Sequence, residues 1–282
     1  MQPGIRRGFA DVAGGQVHYR EAGRGLGRRL VLIHASPGSS LMLAPLIAAF
    51  GRGRHVIATD TAGNGDSVVA MGEDPAIGDF AACHLAALDA LGIRTFDLYG
   101  THTGASIAAE IAIAAPHRVR RLILDGVGMY TPEEQAEMLA RYAPAMRPDL
   151  HAQYLMWAWH FVRDTYAYWP WYRTDAAHRR PTGLPSAEVL HEKLVEVLKA
   201  ITTYHRSYRA AIANDKRARF PLIAVPTLAA CARTDMLARM FEDFAALIPG
   251  AERALTPGLA SPEALEETVA IFARFLDAGG AG

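Results

Sequence analysis

The segment FDLYGTHTGASIAAEIA, residues 96–112, constrains the fold more than any other part of the chain. It has the pattern of a strand, a sharp glycine turn and a helix that follow one another without a spacer. The turn is Gly100-Thr101-His102-Thr103-Gly104. A strand that passes directly into a helix belongs in a parallel sheet covered by helices, and functional sites in such sheets lie at the carboxyl ends of the strands.

Strands and helices alternate through most of the chain, which predicts an α/β fold with a mostly parallel sheet. The first two strands, with a glycine-rich turn between them, are interpreted as a β-hairpin. Strands are predicted over residues 16–22, 29–34, 55–60, 95–99, 121–126, 226–235 and 252–255, and helices over 77–91, 104–115, 236–247 and 262–277.

Residues 131–220 break the alternation and form a helical insert, so the core is predicted to consist of residues 1–130 and 221–282. The insert holds all four Trp, and its segment 154–173 is rich in aromatic residues. A single long helix is predicted over 187–213, because its apolar residues recur at three-to-four spacing. They are Leu190, Leu194, Val197, Ile201, Tyr208 and Ile212.

Composition limits the partners of this 282-residue chain. Its 29 basic and 29 acidic residues balance, and no apolar run is long enough to span a membrane, so neither nucleic acid nor a membrane is expected. Two cysteines and the lack of a secretory signal pattern predict a cytoplasmic protein without disulfides. No metal-ligand spacing, phosphate-binding loop or dinucleotide fingerprint is present, so no metal or cofactor is predicted.

Several motifs occur in a telling order: HASPGSS, DTAGNGDS, YGTHTG, the helical insert and PTLAACARTD. In order and spacing they resemble the α/β-hydrolase superfamily. The resemblance is to its capped, single-domain branch, which includes C–C bond hydrolases, epoxide hydrolases, haloalkane dehalogenases and small esterases. It spans nearly the whole chain and implies an α/β-hydrolase fold in which the insert is a cap over the active cleft.

The turn His34-Ala35-Ser36-Pro37-Gly38 resembles the superfamily's oxyanion turn. The resemblance implies that the backbone N–H groups of Ser36 and Thr103 hold a developing oxyanion. The alternative is that Gly38 and Pro37 only shape a tight turn. His34 and the loop from Asp60 to Ser67 are interpreted as mostly structural.

The catalytic positions depart from the superfamily's pattern. His102 stands where the motif Gly-x-Ser-x-Gly places the nucleophilic serine, and Leu259 stands about where the late histidine belongs. No histidine follows His205, whereas Asp235 keeps the position of the strand-end acid.

We hypothesise that His102 supplies proton transfer, since its reference pKa near 6.5 suits that task and its side chain can reach toward the missing imidazole's position. Asp235, or alternatively Asp125, is expected to orient its ring. The competing interpretation is an inactivated protein in which His102 is only a hydrogen-bonding plug.

Most aromatic side chains of the cap are expected to pack against one another, and some to face the cleft. The candidates for substrate contact are the histidines, tryptophans and one arginine near the predicted cleft, with Arg173 as a further candidate for a carboxylate. They are His34, Trp157, His160, Arg163, Trp169 and His205.

Three functions follow from these residues. The first is a hydrolase that acts on a small apolar or aromatic carbonyl compound by water attack assisted by His102. The second is a cofactor-free lyase or oxygenase, and the third is an inactive ligand-binding protein. The predicted partner is a small-molecule substrate, and a homodimer stays open.

Overall fold

The computed structural model describes residues 4–278 as one nine-stranded sheet flanked by helices, so the extreme ends of the predicted core, residues 1–3 and 279–282, lie outside the description. The strands are β1 Arg6–Val12, β2 Gly15–Ala22, β3 Arg29–Ile33, β4 His55–Thr59, β5 Val68–Val69, β6 Phe96–Thr101, β7 Val119–Asp125, β8 Thr227–Ala232 and β9 Glu252–Thr256. Their order across the sheet is β1-β2-β4-β3-β6-β7-β8-β9, with β5 paired to β2.

The described part of the chain, residues 4–278, has these α-helices beside the sheet: α1 Ala44–Phe50, α2 Ile77–Ala90, α3 Thr103–Ala114, α4 Pro132–Arg141, α5 Gln153–Ala167, α6 Ala187–Lys199, α7 Tyr204–Ala213, α8 Lys216–Arg219, α9 Phe241–Ala245 and α10 Pro262–Asp277. Two apolar clusters lie on either side of the sheet. One holds Phe80 of α2 and Ile107 of α3, and the other holds Leu46 of α1 and Phe272 of α10. The sheet is thus covered on both faces, as the strand–helix alternation predicts.

The prediction that the strands at residues 16–22 and 29–34 form a β-hairpin is wrong. β2 pairs with β1 and β4, both antiparallel, whereas β3 pairs in parallel with β4 and β6. The tight turn of the true hairpin is at Ala13 and Gly14, between β1 and β2. β1 has the sequence RRGFADV, whose charged and exposed residues hide the alternation that marks a strand.

The insert between β7 and β8 carries α4 to α8, and its aromatic cluster packs mainly on itself. The predicted long helix is two helices, α6 and α7, separated by residues 200–203. The Thr203 hydroxyl donates to the Gly63 carbonyl outside the insert, which favours a break at that point. Near the end of the chain, the predicted helix 236–247 is instead a short 3-10 turn followed by α9.

No helix within residues 4–278 is both long and apolar enough to cross a membrane.

Candidate active site

The elbow, residues 100–104, joins β6 to α3 and places His102 at its apex. His102 has φ 53° and ψ −113°, a strained conformation for a residue with a side chain. Its amide donates to the Asp125 carbonyl at 3.0 Å, which ties the apex to β7. A Cβ on Gly104 would lie 2.3 Å from the Ile33 carbonyl oxygen, so the tight approach of α3 to β3 requires glycine.

The imidazole of His102 reaches across the end of β7 to the loop after β8. Its Nε2 lies 2.9 Å from Oδ2 of Asp235. Gly126, directly after β7, leaves room for the ring, because a Cβ there would lie 3.0 Å from Nε2. Since the carboxylate accepts the Nε2 proton, Nδ1 carries the ring's free lone pair in the neutral state.

Charge in this pair is set by two opposing effects. Burial by itself would lower the pKa of His102, but the Asp235 carboxylate outweighs it and holds that pKa above its ordinary value. Burial likewise opposes ionisation of Asp235, while His102 and a hydrogen bond from the Leu237 amide at 2.8 Å hold its pKa below its ordinary value. The pair can therefore stabilise an imidazolium beside a carboxylate.

Asp125, the alternative partner for His102, is engaged elsewhere. Its Oδ2 accepts the Tyr99 hydroxyl at 2.8 Å. Burial raises the pKa of Asp125 to about 6, and the nearby Asp235 charge adds to that effect. Of the two carboxyls, only Asp235 is hydrogen-bonded to His102.

The two amides proposed as oxyanion donors are backbone groups of buried residues. Thr103 begins α3, where an N–H has no partner within its helix. Ser36 lies in the turn after β3, and within residues 4–278 neither amide has a protein acceptor. Thr103 lines a small cavity beside His102, whereas Ser36 lies outside that cavity's walls.

The cavity at His102 has a volume of about 40 Å³, enough for a water molecule. Its walls include Thr103, Trp169, Tyr208 and Lys216. A larger cavity of about 610 Å³ has Asp235 in its wall and shares Tyr130, Trp169 and Met236 with the small one. That volume is typical of a small-molecule site.

Five arginines line the larger cavity, and two of them are paired with carboxylates of the chain. Arg173 forms a bidentate pair with Glu137, and Arg239 approaches Glu134 at 3.5 Å. The other three have no carboxylate partner among residues 4–278; they are Arg179, Arg180 and Arg233. The charge of Arg180 acts on both His102 and Asp235. This cavity can hold an anionic group.

His34 does not fit its predicted role in substrate contact. Its ring is fully buried, with Nε2 accepting the Thr61 amide at 2.9 Å and Nδ1 bonded to the Ala35 carbonyl at 2.7 Å. Burial lowers its pKa, so it stays neutral. Both nitrogens are occupied by backbone groups, and the ring joins two loops.

Of the five insert residues predicted to contact substrate, four line neither cavity and Trp169 lines both; the further candidate Arg173 lines the larger cavity but is paired with Glu137. Trp157 stacks on Phe161 within the cap's aromatic cluster. Arg163 pairs with Asp164 at 2.7 Å and donates to His160, which is half exposed. His205 is absent from the walls too, and its ring packs edge-on against Tyr204.

Lys216 and Arg180 are functional candidates that the sequence did not suggest. Lys216 is buried in the wall of the small cavity, where its Nζ donates to the Ala211 carbonyl at 2.6 Å and burial lowers its pKa to about 8. Arg180 donates to the Thr165 carbonyl at 2.7 Å beside the larger cavity. Neither stands in a motif, so no sequence signal separated them from surface residues.

Within residues 4–278, one group of ligand-type side chains outside this site has its atoms close together: His18, Asp60 and Asp66. His18 Nδ1 bonds Asp60 at 2.8 Å, and Asp66 pairs with Arg7 and Lys199. Because cations of the chain already satisfy Asp66, the group is explained as part of the loop's own framework.

Comparison with known proteins agrees with this architecture. Residues 28–170, half of the chain, match the family model described as the alpha/beta hydrolase fold. The chain belongs to the α/β-hydrolase family. Among solved structures, epoxide hydrolase A from Mycobacterium thermoresistibile has a TM-score of 0.76 at 20% identity over 98% of this chain and 99% of that one. The enol-lactonase from Burkholderia xenovorans LB400 has a TM-score of 0.71 at 22% identity over 95% and 99%.

Curated relatives match over shorter stretches. A 2-hydroxy-6-oxononadienedioate/2-hydroxy-6-oxononatrienedioate hydrolase from Paraburkholderia xenovorans is 33% identical over 147 residues, 48% of this chain and 46% of that protein. A 2-hydroxy-6-oxo-2,4-heptadienoate hydrolase from Pseudomonas putida is 38% identical over 106 residues, 36% of this chain and 38% of that protein. The α/β-hydrolase chain thus spans less than half the length of these relatives.

Proposed function

We propose that this α/β-hydrolase is an enzyme that hydrolyses a small carbonyl compound, with His102 as general base. The observation that carries the proposal is the 2.9 Å contact between His102 Nε2 and Asp235 at the apex of the elbow. A strained apex that holds a base against a partly buried carboxylate has the parts of a proton-transfer site.

In this mechanism Nδ1 of His102 takes a proton from a water molecule as the water oxygen bonds to the substrate carbonyl carbon. Asp235 stabilises the resulting imidazolium, as an acid behind a catalytic histidine does. The amides of Thr103 and Ser36 hold the oxyanion. Collapse of the tetrahedral intermediate breaks the bond to the leaving group, which receives the proton back from Nδ1. Water is consumed, and no covalent enzyme intermediate forms.

The substrate class follows from the two cavities. Tyr130, Trp169 and Met236 provide apolar surface beside His102, which suits the predicted apolar or aromatic portion of a substrate. Arg180 and Arg233, which have no carboxylate partner within the described residues 4–278, suit a carboxylate on the same molecule. Relatives named as hydrolases of dienoates and dienedioates act on compounds with both features. We infer a conjugated or aromatic carbonyl compound that bears a carboxylate.

Turnover in ¹⁸O-labelled water tests the reaction type. Substrates would be enol esters, lactones and conjugated diketones, each supplied as free carboxylate and as methyl ester. We expect one solvent oxygen in the acid product and a preference for the carboxylate forms. Arg180→Gln should raise KM for the carboxylate form about tenfold, while Arg52→Gln, at an exposed arginine outside these cavities, should leave it unchanged.

A cofactor-free lyase is the second candidate, because a base beside oxyanion donors can also abstract a substrate proton. Turnover without solvent oxygen in the product would select it over hydrolysis. Rapid stoichiometric labelling of a pocket serine by a phosphonate would contradict both mechanisms, since each assigns the chemistry to His102.

A further inference from the structure

One fully buried residue of the insert contacts two core loops, the oxyanion turn and the loop of residues 60–67. Ser207 lies on α7, and its hydroxyl donates to Oγ of Ser36 at 2.9 Å. The same oxygen accepts from Nδ2 of Asn64 at 3.2 Å. Ser36 belongs to the oxyanion turn, residues 34–38, and Asn64 belongs to the loop of residues 60–67. Ser207 therefore joins three segments that are distant in sequence.

The two loops are also bonded to each other beneath this contact. The Thr61 amide donates to His34 Nε2 at 2.9 Å, and the Ser40 amide donates to Asp60 Oδ1 at 2.7 Å. Because these bonds are buried, displacement of either loop would leave polar groups unpaired. The turn that carries the Ser36 amide is thus bonded both to the 60–67 loop and to Ser207.

A helical serine commonly bonds only a carbonyl of its own helix, and that local role must be weighed. Ser207 has such a contact with the Tyr204 carbonyl, at 3.2 Å. The contact with Ser36 is shorter at 2.9 Å, and the Asn64 amide points at the same oxygen. Ser207 therefore has partners on the core that a purely local role does not explain.

We propose that Ser207 is a positioning residue for the oxyanion turn, so that a seated cap fixes the direction of the Ser36 amide. The proposal rests on the proposed function, in which that amide holds the oxyanion. An oxyanion donor acts only when it is held within about 0.5 Å of its working position. Seating of the cap and completion of the oxyanion site are then one event.

Ser207→Ala tests the role in turnover, with Thr203→Val as the matched control. Thr203 lies one turn earlier and bonds the Gly63 carbonyl, so its replacement removes one hydrogen bond between insert and core while the Ser207–Ser36 contact is kept. We expect Ser207→Ala to lower kcat about tenfold, because a buried hydroxyl and amide lose their partner. KM and the pH midpoint should stay unchanged, since His102 and Asp235 are untouched. Thr203→Val should keep kcat within about twofold.

The Ser36 amide ¹H–¹⁵N resonance provides a readout without substrate. It should shift in Ser207→Ala, return toward the parent value in Ser207→Thr, and change little in Thr203→Val. An unshifted resonance together with parental kcat in Ser207→Ala overturns the proposal, as does an equal loss of kcat in Thr203→Val. If no carbonyl compound is turned over, the proposed function fails, and the resonance still decides whether Ser207 holds the turn.

Discussion

Two loops at the carboxyl edge of the sheet, the elbow after β6 and the loop after β9, differ in their backbone strain and in the contacts of their side chains. The elbow after β6 keeps a strained apex, and its side chain reaches a carboxylate. The loop after β9, residues 257–260, is held by the helix that follows it: the Thr268 hydroxyl of α10 donates to the Gly258 carbonyl at 2.8 Å, and Leu259 packs half-buried against the core. The strained backbone of the elbow positions a polar side chain, whereas the loop after β9 contributes an apolar side chain to the core. The contrast favours a site whose base has its place on the elbow.

Replacement of His102 is expected to give the largest effect. His102→Gln keeps a hydrogen-bond donor for Asp235 but removes the base, so turnover should fall by roughly a hundred- to ten-thousandfold. His117→Gln, at an exposed histidine, is the matched control and should retain full activity. Steady-state rates and thermal unfolding of both variants provide the measurement. Unchanged turnover in a folded His102→Gln variant would show that the general base does not lie on the elbow.

Asp235→Asn is expected to have the next largest effect, roughly a hundredfold loss of kcat, because the imidazolium loses its carboxylate. The pH dependence sharpens the assignment. A general base must be neutral, so kcat/KM should rise with pH through the pKa of His102, which lies above its ordinary value in the parent. The variant's midpoint should move to lower pH. A pH midpoint that does not move would show that Asp235 does not influence the pKa of the general base.

Periodic sequence patterns were enough for the α/β class, because buried strands such as β6 and amphipathic helices such as α10 carry strong signals, and the α/β-hydrolase fold was implied by the resemblance of the motifs. The last helix, for example, was predicted over 262–277 and is observed there. β1 was missed because its edge position leaves charged residues on the strand. The pairing of β2 was wrong because sequence order does not reveal which strands are neighbours across a sheet.

Within the candidate site, the predictability differed in the same way. His102 could be placed near Asp235 or Asp125, since all three lie at carboxyl ends of strands along one edge, but the sequence did not decide which carboxylate bonds the ring. The cap residues could not, because His160 and Arg163 have neighbours within their own helix that decide where they point. Arg180 and Ser207 become significant only through contacts with residues distant in sequence, which no local pattern records.

Asp125→Asn tests whether the buried Asp125 carboxyl beside the elbow becomes ionised, and we expect it to change the free energy of unfolding. Folding raises the pKa of the Asp125 carboxyl to about 6, so its stability contribution is lost as pH rises from about 4 through about 6. Asparagine can still accept the Tyr99 hydroxyl and carries no charge. The variant should therefore be more stable than the parent by roughly 1 to 3 kcal/mol at pH 8 and similar at pH 4. Urea unfolding at both pH values measures this, and equal stability at pH 8 would show that Asp125 bears no buried charge.

The smallest expected effect is a gain of esterase activity when a serine is placed on the elbow and a histidine in the loop after β9. His102→Ser rebuilds Gly-x-Ser-x-Gly, but a serine hydroxyl needs a base, and the loop after β9 offers Leu259 instead. We expect this variant to gain little activity toward a generic activated ester, and His102→Ser combined with Leu259→His to gain a small but measurable rate. Leu259→His alone, with His102 kept, is the control and should show no gain, since it adds an imidazole without a nucleophile. Strong esterase activity in His102→Ser by itself would reveal a base elsewhere in the cleft, with the buried Lys216 the first residue to replace. The proton-transfer role would then belong to neither loop.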